Sequence, residues 1–165
     1  MNRLADEQTH VAYLILAEAV ENMDGKLNIT GGDWDTLLVP DIGRPVAFSF
    51  ACGVQVPWAE ADAQHTLMLS LAGADGRPIA PPHMETFRIG RSRLAGPEAE
   101  AHLPFALRWE LTFPRYGRYV LTATVDGRAD HARQVVFFIR PPAASELAVS
   151  EAEMNIIDEE LERGY

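Results

Sequence analysis

Residues 11–34 read VAYLILAEAVENMDGKLNITGGDW, and their order decides the fold. An apolar run over residues 11–17 leads to Asp24-Gly25, then to a second short run, then to Gly31-Gly32. Asp-Gly between two strand-like runs is a strong hairpin signal, because a two-residue turn needs positive φ. A chain that opens this way, with no helical period, announces an all-β domain.

Working outward, the rest of the chain alternates with period two. Over residues 46–56, Val46, Phe48, Phe50, Cys52, Val54 and Val56 share one face; Ala47, Ser49, Ala51, Gly53 and Gln55 share the other. Leu67, Leu69 and Leu71 make a similar set. So do Phe105, Leu107, Trp109, Leu111 and Phe113, and so do Tyr119, Leu121, Ala123 and Val125. This is the pattern of strands with one buried face. Asp75-Gly76 and Asp126-Gly127 repeat the hairpin signal, and Pro57, Pro114 and Gly117 bound further strands. Residues 84–89 form a weaker strand, and residues 91–101, without a period, read as a loop. Eight or nine short strands so punctuated suit a two-sheet sandwich or a barrel, and the expectation is an all-β, two-sheet β-sandwich, immunoglobulin-like or C2-like.

At 165 residues the chain is long enough for one domain with a core that needs no staples. A net charge of −10 disfavours nucleic acid and anionic membrane as partners. The longest apolar run is too short for a membrane-spanning helix. The opening MNRLADEQTH lacks the apolar stretch of a secretory signal, and a lone Cys52 excludes an internal disulfide. These features together predict a cytoplasmic protein.

The charge is unevenly spread. Residues 145–165 hold seven acids and one base, which is −6 of the total. Pro141-Pro142-Ala143-Ala144 separates them from the rest, since consecutive prolines end a strand and stiffen a linker. The predicted organisation is a β-sandwich over 1–140, a Pro-rich linker over 141–144 and an acidic amphipathic helical tail over 145–165. Ser150 and Glu153 fit a capping box, and Met154, Ile157 and Leu161 follow at helical spacing. So short a helix needs a surface to pack on, whether this body, a second copy or another protein; without one the segment is a frayed acidic tail that keeps the protein soluble.

Two strands are apolar on both faces. The first adds Ala12, Leu14 and Leu16 to Val11, Tyr13 and Ile15; the last adds Val136 and Phe138 to Val135, Phe137 and Ile139. A greasy outer face calls for a cover. That cover is either a loop or the chain's own tail, or else a subunit or partner; on the second reading Leu14, Leu16, Val136, Phe138, Met154, Ile157 and Leu161 are the expected partner-binding residues, for a protein partner or a homo-oligomer.

The segment DGKLNITGGDW, preceded by AYLILAEAV, resembles a family of uncharacterised bacterial proteins. Its members open with an alanine- and leucine-rich strand, a DGKL-type hairpin and a Gly-Gly-Trp-like break. They close with a G-x-Y strand, a VDG hairpin and an apolar last strand, here Gly117-Arg118-Tyr119, Val125-Asp126-Gly127 and residues 135–139. The likeness covers roughly residues 10–140. It implies a small β-sandwich, a domain of unknown function, and no catalytic residue to carry over.

The residues themselves point away from chemistry. His10, His65, His83, His102 and His131 are scattered singly, whereas zinc needs three or four converging ligands. Asp33, Asp35 and Asp41 lack the loop pattern of a calcium site. There is no nucleophile elbow and no phosphate loop. Cys52 falls on the inward face of its strand and reads as a small core hydrophobe. No metal, cofactor or catalytic residue is expected. The expected function is a non-enzymatic interaction or scaffold module. The alternative is a small-ligand or carbohydrate-binding sandwich that uses Trp34 and Trp58, which fall in loops. Arg88, Arg91 and Arg93 make a basic patch that reads as a solvated edge or as a dock for an acidic segment.

Overall fold

Turn residues divide the chain into nine strands in the computed structural model, which describes residues 8–94 and 96–144. They are β1 (His10–Met23), β2 (Lys26–Gly32), β3 (Thr36–Leu38), β4 (Pro45–Pro57), β5 (Gln64–Gly73), β6 (His83–Arg88), β7 (Glu100–Thr112), β8 (Gly117–Val125) and β9 (Arg133–Arg140). Four form one sheet in the order β2-β1-β4-β7, and five form the other in the order β3-β9-β8-β5-β6. The fold is the expected all-β two-sheet sandwich. Every pairing is antiparallel except that of β3 with β9.

The core is the set that the alternation picks out. Phe48, Phe50, Cys52, Val54 and Val56 from β4 face Leu67, Leu69 and Leu71 from β5, Tyr119, Leu121, Ala123 and Val125 from β8, and Phe137 and Ile139 from β9. Fully burying each large member contributes about 1.5–3 kcal/mol. The Tyr119 hydroxyl donates to the Arg115 carbonyl at 2.6 Å, which ties the β7–β8 corner to the start of β8.

The Asp-Gly signals behave differently from one another. Asp24 and Gly25 have φ of 52° and 77° and close β1 onto β2 through the pair Met23–Lys26. Asp126 and Gly127 also have positive φ, yet they open a longer loop with a short 3-10 turn at Ala129–His131. The reason is that Asp126 is pinned sideways to β5. Its N–H donates to the Thr66 carbonyl at 2.9 Å, and its carboxylate accepts the Thr66 N–H at 2.8 Å. The β7 strand begins at Glu100, inside the stretch that has no period.

The first strand departs most from expectation. A bulge lies between Val11 and Tyr13, so Val11 pairs with Val54 while Leu14 and Leu16 pair with Cys52 and Phe50. One extra residue shifts the facing by one position. Val11, Leu14 and Leu16 all enter the core, at 1%, 8% and 1% exposure. Leu14 and Leu16 are therefore not outward partner-binding residues; Tyr13 and Ile15 carry the outer face of β1.

Candidate interaction surface

The two outer faces of the sandwich are built differently. On the four-stranded sheet the outward positions of β4 are small: Ala47, Ser49, Ala51 and Gly53. Ala51 and Ser49 are nonetheless buried, as is Ala17 beside them. The cover is the chain's own first hairpin. Asn22, near its tip, donates to the Pro104 carbonyl on β7 at 3.1 Å. Pro104 is level with Gly53 and Tyr13 in the pairing register. A straight β1 would carry Asn22 well past that level. Its second half must therefore bend back over the outer face, with residues 18–21 facing Ala47, Ser49 and Arg108 across a shallow gap. The Tyr13 ring lies directly over Gly53, where any Cβ would collide with it.

Among the described residues the five-stranded sheet has no such cover. Its outward positions follow from the register, because cross-strand partners share a face. One row runs Val136, Val120 and Ala72; another runs Thr124, Met68 and Met84; Thr36, Phe138 and Arg118 form a third. Phe138 is 45% exposed, Val136 38%, Met84 62% and Leu38 37%. Serine, threonine and glutamine fill most of the remaining outward positions. The charged residues on this face are Arg88, Arg118 and Arg140; no Asp or Glu stands at an outward position of its five strands. In a chain of net charge −10, that is a segregated surface.

Val136 and Phe138 thus point outward, on a face that the other described residues leave uncovered. Met84, Leu38 and Arg118 join them there without having been singled out. Met154, Ile157 and Leu161, with the whole predicted tail helix, lie outside the described residues. Trp34 and Trp58 do not come together. Trp34 is half-buried and packs edge-on against Phe137 and Phe48, with ring centres 5.7 and 6.4 Å apart. Trp58 follows Pro57 at the other end of β4, about 30 Å away at strand rise, with Arg91 5.4 Å from its ring centre. A shared aromatic platform is excluded by that separation.

Arg91 also leaves the basic patch: it lies 3.7 Å from the Asp62 carboxylate and donates to the Ala61 carbonyl at 3.2 Å. Arg88 points outward on the open face. The polar residues at this end of the sandwich act as a staple. Arg128 grips Glu60 with two hydrogen bonds of 3.1 Å, and Glu60 accepts the Thr9 N–H at 2.7 Å. Partial burial opposes the Glu60 charge, but the hydrogen bonds from Arg128 and Thr9 and the Arg128 charge outweigh it, and its carboxyl is held down at about 2. Both ring nitrogens of His65 meet acceptors, the Asp126 carboxylate at 2.8 Å and the Glu60 carbonyl at 3.0 Å. The network joins the residue before β1 to the β4–β5 and β8–β9 loops. Cys52 is fully buried, and burial pushes its thiol up to about 12. Among the described residues no three His, Cys, Asp or Glu cluster as metal ligands, and no helix is long and apolar enough to cross a membrane.

The model of a family of unknown function, DUF6941, matches residues 12–137, from the bulge of β1 to the core Phe137 of β9. The chain belongs to the DUF6941 family. The match takes in both sheets and ends just short of Phe138. No curated protein matches this DUF6941 member. Among solved structures, the Pseudomonas fluorescens alkylpurine DNA glycosylase AlkC, bound to DNA containing an abasic site analog, shows a likeness at 14% identity and a TM-score of 0.39. The likeness covers 81% of this chain and 30% of that one, so the DUF6941 chain spans less than a third of the glycosylase's length. A likeness of that score carries no argument about function.

Proposed function

We propose that this chain is a non-enzymatic protein–protein interaction module, docking a partner through the open face of its five-stranded sheet. The observation that carries the reading is the contrast between the faces: the chain's own hairpin bends over one, while the described residues leave Phe138, Val136 and Met84 uncovered on the other. Exposed apolar residues among polar ones are the usual composition of a docking patch. With arginines as its charged groups, this face suits a partner that brings acidic side chains around an apolar anchor. Met154, Ile157 and Leu161 of the tail remain the second candidate docking element.

An immunoglobulin-like classification belongs to the same proposal. Supporting it are the strand order and the Tyr119 hydroxyl bond to a carbonyl four residues upstream, which resembles the tyrosine corner of such sandwiches. A cytoplasmic setting is also proposed, supported by a lone, buried thiol.

The test is capture with three full-length baits: the wild type, Phe138→Glu on the open face and Lys26→Glu on the hairpin. The reading expects a partner retained by wild type and Lys26→Glu and lost by Phe138→Glu. Equal capture by all three would count against it.

A ligand-binding reading is favoured by one observation. A cavity of about 280 Å3 opens at the side of the sandwich between His83 and the stretch 108–111, and Trp109 lines it. It is smaller than most sites for drug-sized ligands, roughly 300–1,000 Å3. A saturable change in tryptophan fluorescence on a glycan panel, abolished by Trp109→Leu, would turn the assignment to this cavity.

A further inference from the structure

We propose that the open face is occupied, in the free protein, by the chain's own C-terminal segment, residues 145–165. The inference rests on the reading of that face as a docking surface and names its first occupant.

Charge is the first argument. The face carries Arg88, Arg118 and Arg140 and no outward acid, while residues 145–165 carry seven acids and one base. The most one-sided acidic stretch of the chain thus matches the one sheet face without an acid. Complementary charge sets register and excludes wrong partners.

Apolar pattern is the second. Met154, Ile157 and Leu161 recur at helical spacing, and a helix so placed gains stability by burying that stripe. The face offers Phe138, Val136, Met68 and Met84 as its apolar ground.

Position is the third. Arg140, the last residue of β9, stands on the face itself, and only residues 141–144 separate it from the segment. Twenty-one residues of helix measure about 31 Å. Five strands span about 19 Å. The segment starts at a corner of the face and is long enough to cross it. So short a tether keeps the local concentration in the millimolar range.

A second copy is the weaker occupant. Two open faces brought together would oppose arginine to arginine with no acid between them, and like charges across an interface are destabilising. The consequence for function is competition: a partner reaching the face must displace the segment.

Methionine methyl resonances of the full chain test this directly. Met68 and Met84 stand on the face, Met154 belongs to the segment, and Met23 at the hairpin tip is the internal control. The substitutions Ile157→Lys and Leu161→Lys are made together, with light scattering on both proteins. The proposal expects the Met68 and Met84 methyls to shift, Met23 to stay, both proteins to be monomers, and partner capture to rise several-fold. Unmoved Met68 and Met84 methyls would overturn it. A dimer that the substitutions dissociate would overturn it in favour of a second copy. The underlying reading fails separately, by unchanged capture with Phe138→Glu.

Discussion

The two outer faces of this sandwich begin from the same problem and resolve it in opposite ways. Each sheet hides one side in a shared core and has a second side to account for. The four-stranded sheet keeps the outward residues of its inner strand β4 to alanine, serine and glycine and folds its own β1–β2 hairpin over them. The five-stranded sheet keeps phenylalanine, valine and methionine outward and leaves them uncovered by the described residues. The difference teaches that an apolar outer strand is not by itself a docking site. What distinguishes the two is whether the neighbouring side chains leave room for a cover that the chain supplies.

Matched substitutions should bring out that difference most strongly. Ala51→Glu places a charge under the hairpin without a partner and is expected to cost about 3 kcal/mol or more. Val136→Glu on the open face should cost far less, because it leaves the sandwich core untouched and weakens only what docks on that face. Urea unfolding of the pair measures both; similar losses would show that the faces do not differ. Next in size, Gly53→Val drives a side chain into the Tyr13 ring and should cost about 1–3 kcal/mol. Most of that loss should vanish in a Tyr13→Ala background, because the two positions touch.

Much of the architecture is legible in the sequence. β4, β5 and β8 alternate cleanly, so their core faces follow from period two alone. β1 was not legible in the same way. Residues 11–16 are apolar in both parities, so nothing in the pattern marks the bulge that turns Leu14 and Leu16 inward. The sequence does carry a signal for the hairpin cover: Ala47, Ser49, Ala51 and Gly53 fall on one face of one strand. The open face was half legible. Val136 and Phe138 stood out within one strand, but Arg118, Met84 and Leu38 join them only once strands distant in sequence are paired. Trp34 and Trp58 misled because a loop position says nothing about which end of the sandwich the loop caps.

Acid unfolding sharpens the account of how the covered sheet is anchored. Glu60 holds the Thr9 N–H just ahead of β1, and its carboxyl is lowered from 4.5 to about 2 in the folded protein. A lowered carboxylate contributes stability above its unfolded value, and that contribution is lost as pH falls from about 4.5 toward 2. Glu60→Gln should flatten the stability profile in this window, measured by thermal melts at stepped pH. An unchanged slope would remove Glu60 from the anchor.

Smaller still, Asn22→Ala removes the clasp to Pro104 and should cost about 1 kcal/mol, with faster amide exchange through the hairpin. At the bottom of the scale, Phe138→Ser should leave the urea midpoint nearly unmoved while changing what the protein binds.

Binding through the open face, and not through the covered one, is the proposal to be tested. Site-specific photo-crosslinking in cells tests it with least intervention. A benzoylphenylalanine replaces Phe138 in one version and Met23, on the hairpin, in another. The account predicts defined crosslinks from position 138, mapped by peptide mass spectrometry to residues 145–165 or to a partner, and none from position 23. Crosslinks from position 23 with none from 138 would contradict it.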